Sequence, residues 1–248
     1  NAGMARIKTL IHIHTDFSPD SDLSCEALAA FADRHGFGCL AVTDHDAIDG
    51  ALRLRSMTDA QVIIGEEVTT RDGDLIGLFL TERIPPGLSA RDTAIAIKQQ
   101  GGLVVVPHPF IHFLGRGLRG VVWELIDLID AVEVQNAQNL LAGADRAAAR
   151  FAKELGFAAF VGTDAHTASS IAPCYQMMAD VTDAAAFLGS LRTADFVCGR
   201  HPLSYFASAA GRVVRAVVGL RLPDGFGRNA VVDDRGVPVR IRVSASHA

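Results

Sequence analysis

Four cysteines, one tryptophan and two tyrosines are few for a chain of 248 residues, and each shortage excludes something. Cys25, Cys39, Cys174 and Cys198 stand far apart with no Cys-x-x-Cys pair, which argues against a zinc ribbon and against a disulfide-stapled scaffold. A reducing cytoplasm is the simpler home. Trp123, Tyr175 and Tyr205 supply no row of rings for successive bases, which disfavours sequence-tolerant binding of long single strands. Positive charge is not in excess. With 23 Lys and Arg against 28 Asp and Glu, the net charge of -5 gives no overall basic field toward nucleic acid or an anionic membrane. No uninterrupted apolar run approaches the roughly 20 residues of a membrane span. Residues 1 to 6 lack the apolar region of a signal peptide, so Met4 reads as the start of a soluble, cytoplasmic protein.

Hydrophobic residues are plentiful, at 49% of the chain, enough for one large domain with a substantial core. Short apolar runs predict strands at Leu10 to Ile13, Cys39 to Val42, Val62 to Ile64, Leu75 to Leu80, Leu103 to Val106, Ala131 to Val134, Ala158 to Val161 and Phe196 to Cys198. Such continuous runs suit a buried parallel sheet. Between them lie helices with readable ends. Ser24 caps one that runs to His35 and stops at Gly36, with Leu23 and Leu28 as a hydrophobic staple. Ser89 opens a second that Gly101-Gly102 ends, and a third spans about Ala142 to Leu155 before Gly156. Strand and helix in alternation imply an open doubly wound sheet or a barrel. From residue 212 to 248 the chain turns Arg-rich and is punctuated by Gly and Pro, which reads as a peripheral extension or hairpin, or as a nucleic-acid arm.

Polar residues cluster where these strands end. In Leu10-Ile11-His12-Ile13-His14 the period of two predicts both histidines on one face and both isoleucines on the other. Two adjacent imidazoles point to a metal ion or to a hydrogen-bonded core pair. The second strand ends in Thr43-Asp44-His45-Asp46, the third in Gly65-Glu66-Glu67 and the fifth in Pro107-His108-Pro109. Glu133 lies within Val132-Glu133-Val134, and Val161 is followed by Gly162-Thr163-Asp164-Ala165-His166. In parallel barrels the carboxyl ends of the strands share one face, where active sites assemble. Five of the nine histidines and several carboxylates therefore converge, which favours a metal site.

These motifs, in this order and spacing, resemble those of the PHP domain, the polymerase and histidinol phosphatase family, over roughly residues 8 to 200. The resemblance implies a distorted (β/α)7 TIM-like barrel, expected here over residues 4 to 211. It also implies two or three divalent ions. Carried over by position, His12, His14, Glu67 and Asp164 hold one ion, Glu67 bridges to a second that takes His108, and His45 and His166 hold a third. Two positions depart from the family pattern. Where a further histidine follows the first pair in some members, this chain has Asp20 or Asp22. Where many have a histidine before the Leu-x-Gly of the fourth strand, it has Asp74, read either as an oxygen ligand or as an exposed turn residue. The arginine that often follows His-Pro-Phe is replaced by Ile111.

Mixed imidazole and carboxylate ligands suit zinc, manganese or iron. A water shared by two such ions becomes a hydroxide near neutral pH, able to attack a phosphate ester, with Asp164 or His166 assisting proton transfer to the leaving alcohol. Arg116, Arg119 and Arg200 could clamp a substrate phosphate or be exposed surface residues. Gln135 and Asn136 open an amide cluster that could position a sugar or base, or cap the next helix. The expected activity is that of a phosphoesterase on a small phosphorylated metabolite or nucleotide. A nuclease trimming single-stranded nucleic acid is the alternative, and a non-catalytic metal-binding module ranks last.

Overall fold

The computed structural model describes residues 6–111, 116–139, 142–201 and 205, with the short segments 231–232 and 238–239. Strands β1 (Arg6–Ile13), β2 (Phe37–Val42), β3 (Gln61–Thr70), β4 (Gly73–Leu78), β5 (Leu103–Val106), β6 (Ala131–Asn136), β7 (Ala158–Gly162), β8 (Tyr175–Ala179) and β9 (Asp195–Val197) form one sheet. Its order is β7-β6-β5-β4-β3-β2-β1-β8-β9. Backbone bonds from Thr163 N to Ile11 O (3.1 Å), Asp164 N to His12 O (2.7 Å) and His14 N to Ala165 O (3.0 Å) join the end of β7 to β1. The first seven strands thereby curl into a nearly closed barrel, and β8 and β9 continue the sheet outside it.

The apolar pattern of each strand sorts into two layers. Ile11, Ala41, Ile63, Ile76, Val105, Ala131 and Phe160 pack together within the barrel. Leu10, Ile13, Leu40 and Val42 face outward onto helix α1 (Cys25–His35), whose Leu28 and the preceding Leu23 are fully buried as the staple requires. Ser24 accepts from Ala27 N at 3.2 Å, and Gly36 ends the helix at φ 68, a conformation that glycine adopts without penalty. The short helix α2 (Asp49–Leu54) follows β2. Helices α3 (Ala90–Gln99), capped by Ser89, and α4 (Ala142–Leu155) cover β4 to β6 through Ala94, Ile97, Ala148 and Phe151. The last helix, α5 (Ala184–Leu191), buries Phe187 and Leu191 against the strand interior.

Three departures from the sequence-based expectation bear on the site. The sheet is not wholly parallel: β4 runs antiparallel to both β3 and β5, because residues 70–73 make a tight turn in place of a crossover helix. Its first residues therefore lie at the end of the barrel where the parallel strands finish. Second, β1 does not alternate strictly. His12 has φ 66, and the pairing with β2 slips between Ile11 and Ile13. This bulge turns Ile11 into the barrel and Ile13 out of it, so the isoleucines separate while both histidines face the same end. Third, β8, α2 and α5 were not foreseen. Among residues 212–248, Val231–Val232 pairs antiparallel with Pro238–Val239; the rest of that extension lies outside the described residues. No described helix is long and apolar enough to cross a membrane.

Candidate metal centre

Glu67, fully buried on β3, stands at the middle of the polar end of the barrel. Its Oε2 lies 3.1 Å from His12 Nε2, 3.1 Å from His14 Nε2 and 3.5 Å from His45 Nε2, and its Oε1 lies 3.1 Å from His108 Nε2. Asp164 Oδ1 completes this side at 3.6 Å from His12 Nε2 and 3.3 Å from His14 Nε2. Four groups of ligand atoms lie close enough to share an ion: His12, His14 and Glu67; His12, His108 and Asp164; Glu67, Asp74 and His108; and His14, Asp20, His45 and His166. All nine side chains are buried. Apart from the alternative Asp22, the structure brings together every metal-ligand candidate read from the sequence. Asp20 stands in the cluster and Asp22 is exposed. Asp74, only 4% exposed, is not a surface turn residue, because the antiparallel β4 starts at this end of the barrel.

Backbone strain concentrates here. His12, His108 and Asp164 have φ of 66, 27 and 47, values that cost a non-glycine residue on the order of 1–3 kcal/mol each. The hydrogen bonds around the ligands hold them there. His12 Nδ1 donates to Glu133 Oε1 at 2.9 Å, which leaves the Nε2 lone pair for the cluster. Glu133 Oε2 also accepts from His108 N at 2.7 Å and Asn136 Nδ2 at 3.0 Å. His166 Nδ1 donates to Asp164 O at 2.9 Å, and Ser18 Oγ stands between His14 Nδ1 (3.5 Å) and Asp20 Oδ1 (2.8 Å). All five imidazoles turn Nε2 inward, those of His12, His14 and His166 with Nδ1 held by these bonds and those of His45 and His108 with Nδ1 unpartnered. His14 Nε2 is at contact distance from two carboxylates yet makes no well-aligned hydrogen bond, and one oxygen of the buried Asp74 has no partner. Such atoms are what a shared cation would satisfy, so the residues present fit divalent metal ions.

Electrostatics point the same way. Burial opposes charge on the His12 imidazole, but Asp164, Glu67 and Glu133 outweigh it and hold its pKa well above the usual value. Burial likewise opposes charge on His14, yet Asp164 and Glu67 push it up to about 10. Despite their own burial, Glu67 and Asp164 are held well below the ordinary carboxylate range, chiefly by His12. Asp74 behaves oppositely, pushed up to about 7 by burial and by the neighbouring Glu67 charge. Protons here do the neutralising that a metal ion does more strongly.

The family models match in two blocks, the PHP domain over residues 11–106 and the PHP-associated region over residues 143–196. MJ1587 of Methanocaldococcus jannaschii, an uncharacterized protein, is 38% identical over 144 residues, which is 53% of this chain and 82% of the relative. The chain belongs to the PHP family. Among solved structures, a two-domain Bacteroides vulgatus protein containing a predicted PHP-like metal-dependent phosphoesterase matches with TM-score 0.66 at 16% identity. That match covers 80% of this chain and 66% of the other. Endonuclease Q bound to a 27-mer duplex with an abasic lesion matches with TM-score 0.59 at 14% identity, over 76% of this chain and 57% of the other.

The non-metal candidates of this PHP domain divide. Arg116 reaches the centre, with Nη1 2.7 Å from His45 Nε2 and Nη2 3.2 Å from Asp20 Oδ2. Asn136 Nδ2 donates to Asp164 Oδ2 at 3.0 Å and so braces a ligand carboxylate. Gln135 and Arg200 are not brought to the cluster. Gln135 Nε2 bonds Gly199 O at 3.0 Å, and Arg200 Nη2 bonds Asp145 Oδ2 at 2.7 Å while its Nη1 bonds Asn139 O. Both instead pin the 199–200 segment to the β6 end and α4. The side chain of Arg119 lies outside the described residues. Sequence reasoning counted Glu133 among the converging carboxylates without a specific role, gave none to Ser18, and read Gln138 only within the amide cluster; its Nε2 donates to Asp164 O at 2.9 Å. For Glu133 a signal existed: a carboxylate inside an apolar strand is costly to bury unless it serves a buried partner.

Proposed function

We propose that this chain is a metal-dependent phosphoesterase acting on a small phosphorylated metabolite or nucleotide. The observation that carries this reading is the convergence of five inward Nε2 atoms and four carboxylates, all buried, at one end of the barrel. His12, His14, Glu67 and Asp164 would hold one ion, Glu67, Asp74 and His108 a second, and Asp20, His45 and His166 a third. Divalent ions bound there supply Lewis acidity toward a phosphoryl oxygen and toward the attacking water.

The chain's own residues supply the rest. Glu133 orients His12 and the His108 backbone, Asn136 and Gln138 fix Asp164, and the Asp164 carbonyl holds His166. Asp164 is held ionised and so has no proton to give a leaving alcohol. His166 is therefore the candidate donor to the leaving alcohol, in the state where it does not hold the third ion. Arg116 gives planar donors for a phosphate at the mouth of the site.

The fold likeness to endonuclease Q supports a second reading, cleavage of a nucleic-acid backbone. Release of phosphate or nucleotide from phosphomonoesters, nucleoside bisphosphates and oligonucleotides, measured before and after chelation and Mn2+ return, separates the two. Chelator-sensitive hydrolysis of monoesters with weak salt dependence supports the phosphatase. Steeply salt-dependent cleavage of oligonucleotides supports the nuclease. No metal-restored hydrolysis of any substrate refutes both.

A further inference from the structure

Among the described residues, one arginine or lysine side chain bonds a member of the metal centre, and it does so at a single one of the clusters. Arg116 Nη1 lies 2.7 Å from His45 Nε2, and Nη2 lies 3.2 Å from Asp20 Oδ2. His45 and Asp20 are two of the four residues, with His14 and His166, whose ligand atoms could take the third ion. A neutral imidazole nitrogen offers one lone pair. His45 Nε2 can accept from the Arg116 guanidinium or bind an ion, but it cannot do both. The guanidinium does not deprotonate in proteins, and it repels a divalent ion a few ångströms away.

The anchor of this side chain is firm. Arg116 O accepts from Asp74 N at 2.7 Å, and a Cβ at Gly73 would come within 3.0 Å of that same oxygen. The Arg116 backbone is thus held beside the start of β4, and the charges of Glu67, Asp20, Asp74 and Asp164 all attract its guanidinium inward.

We infer that Arg116 and a third divalent ion compete for one place in this centre, so that the chain works with two ions and carries its third cation on a side chain. The inference rests on the metal-centre reading above. In the two-ion state His166 Nε2 is not spent on an ion. If Arg116 fills the place about nine-tenths of the time, the third ion's apparent affinity is lowered about tenfold, the general consequence of a binding-competent state that is populated a tenth of the time.

Equilibrium dialysis of the stripped full-length chain against Mn2+, with bound metal counted by elemental analysis, tests this on wild type, Arg116→Gln and Arg116→Lys. Two ions should bind wild type tightly and a third about tenfold or more weakly. Arg116→Gln should tighten the third by about tenfold and leave the first two unchanged, while Arg116→Lys, which keeps the charge, should stay near wild type. A third ion bound equally well by wild type and Arg116→Gln overturns the competition and leaves the metal centre standing. No ion on either protein overturns both. The wild-type chain alone gives a check that needs no variant. Phenylglyoxal labelling of Arg116, read by peptide mass spectrometry, should quicken as Mn2+ fills the third place; labelling that is unchanged or slowed contradicts the inference.

Discussion

Stripped of metal, the fold should lose about 1.4–3 kcal/mol between about pH 7.5 and 8.5, because one proton held only by the folded state is worth about 1.4 kcal/mol per pH unit. The sign follows from the imidazoles. His14 is pushed up to about 10 in the folded chain, and His12 is also raised well above its ordinary 6.5. Folded protein therefore binds more protons than unfolded protein throughout this interval. That stability is fully present below about pH 6.5 and is lost as pH rises toward 10. His108, raised against the cost of burial by its contact with Glu67, acts in the same direction. Glu66 and Asp74, each raised to about 7 by burial, are mostly ionised by the start of the interval and add only a small loss of the same sign. The buried thiols Cys25 and Cys39, raised to about 12, contribute mainly once unfolded thiols ionise near 9. Urea unfolding in chelator at constant ionic strength reads the slope. Bound metal replaces these protons, so the same experiment with Mn2+ should show a flat or rising profile. Chelated protein whose stability holds or rises across the interval would refute the assignment of protons to the His12, His14 and His108 imidazoles.

Three substitutions probe the supports. Glu133→Gln should lower metal affinity about 10–100-fold by releasing the His12 ring from its fixed tautomer, read by calorimetry on folded protein; unchanged affinity contradicts that role. Gly162→Ala should destabilise the chain by about 1–3 kcal/mol and weaken metal binding as well, because the new Cβ would sit 1.6 Å from Glu133 Oε1. A normal melting temperature would mean that β7 yields freely. Asp74→His should shift the Glu67–His108 position toward zinc over manganese, since imidazole is the softer ligand. An equal change for both metals would show that Asp74 does not face that ion.

Much of the centre was legible because it lies where apolar strands stop. His45, Glu67, His108, Asp164 and His166 follow or close such runs, and a barrel gathers their ends on one face. What the sequence hid depends on backbone dihedrals and on partners far along the chain. The pattern of β1 predicts strict alternation, and nothing in it announces the left-handed His12 that separates Ile11 from Ile13. The reversal of β4 rests on the four-residue turn at Gly73, and only that reversal brings Asp74 to the site. Gln135 and Arg200 read as substrate contacts because they follow a barrel strand and a basic stretch. Their actual partners, Gly199 and Asp145, are brought to them by the fold from 64 and 55 residues away.

Anomalous diffraction from a crystal equilibrated with Mn2+ tests the central claim most directly. The proposed centre predicts peaks within coordination distance of His12, His14, Glu67 and Asp164, and of Glu67, Asp74 and His108. A map at saturating Mn2+ with no peak among these side chains would contradict it and leave the converging histidines a proton-neutralised structural core.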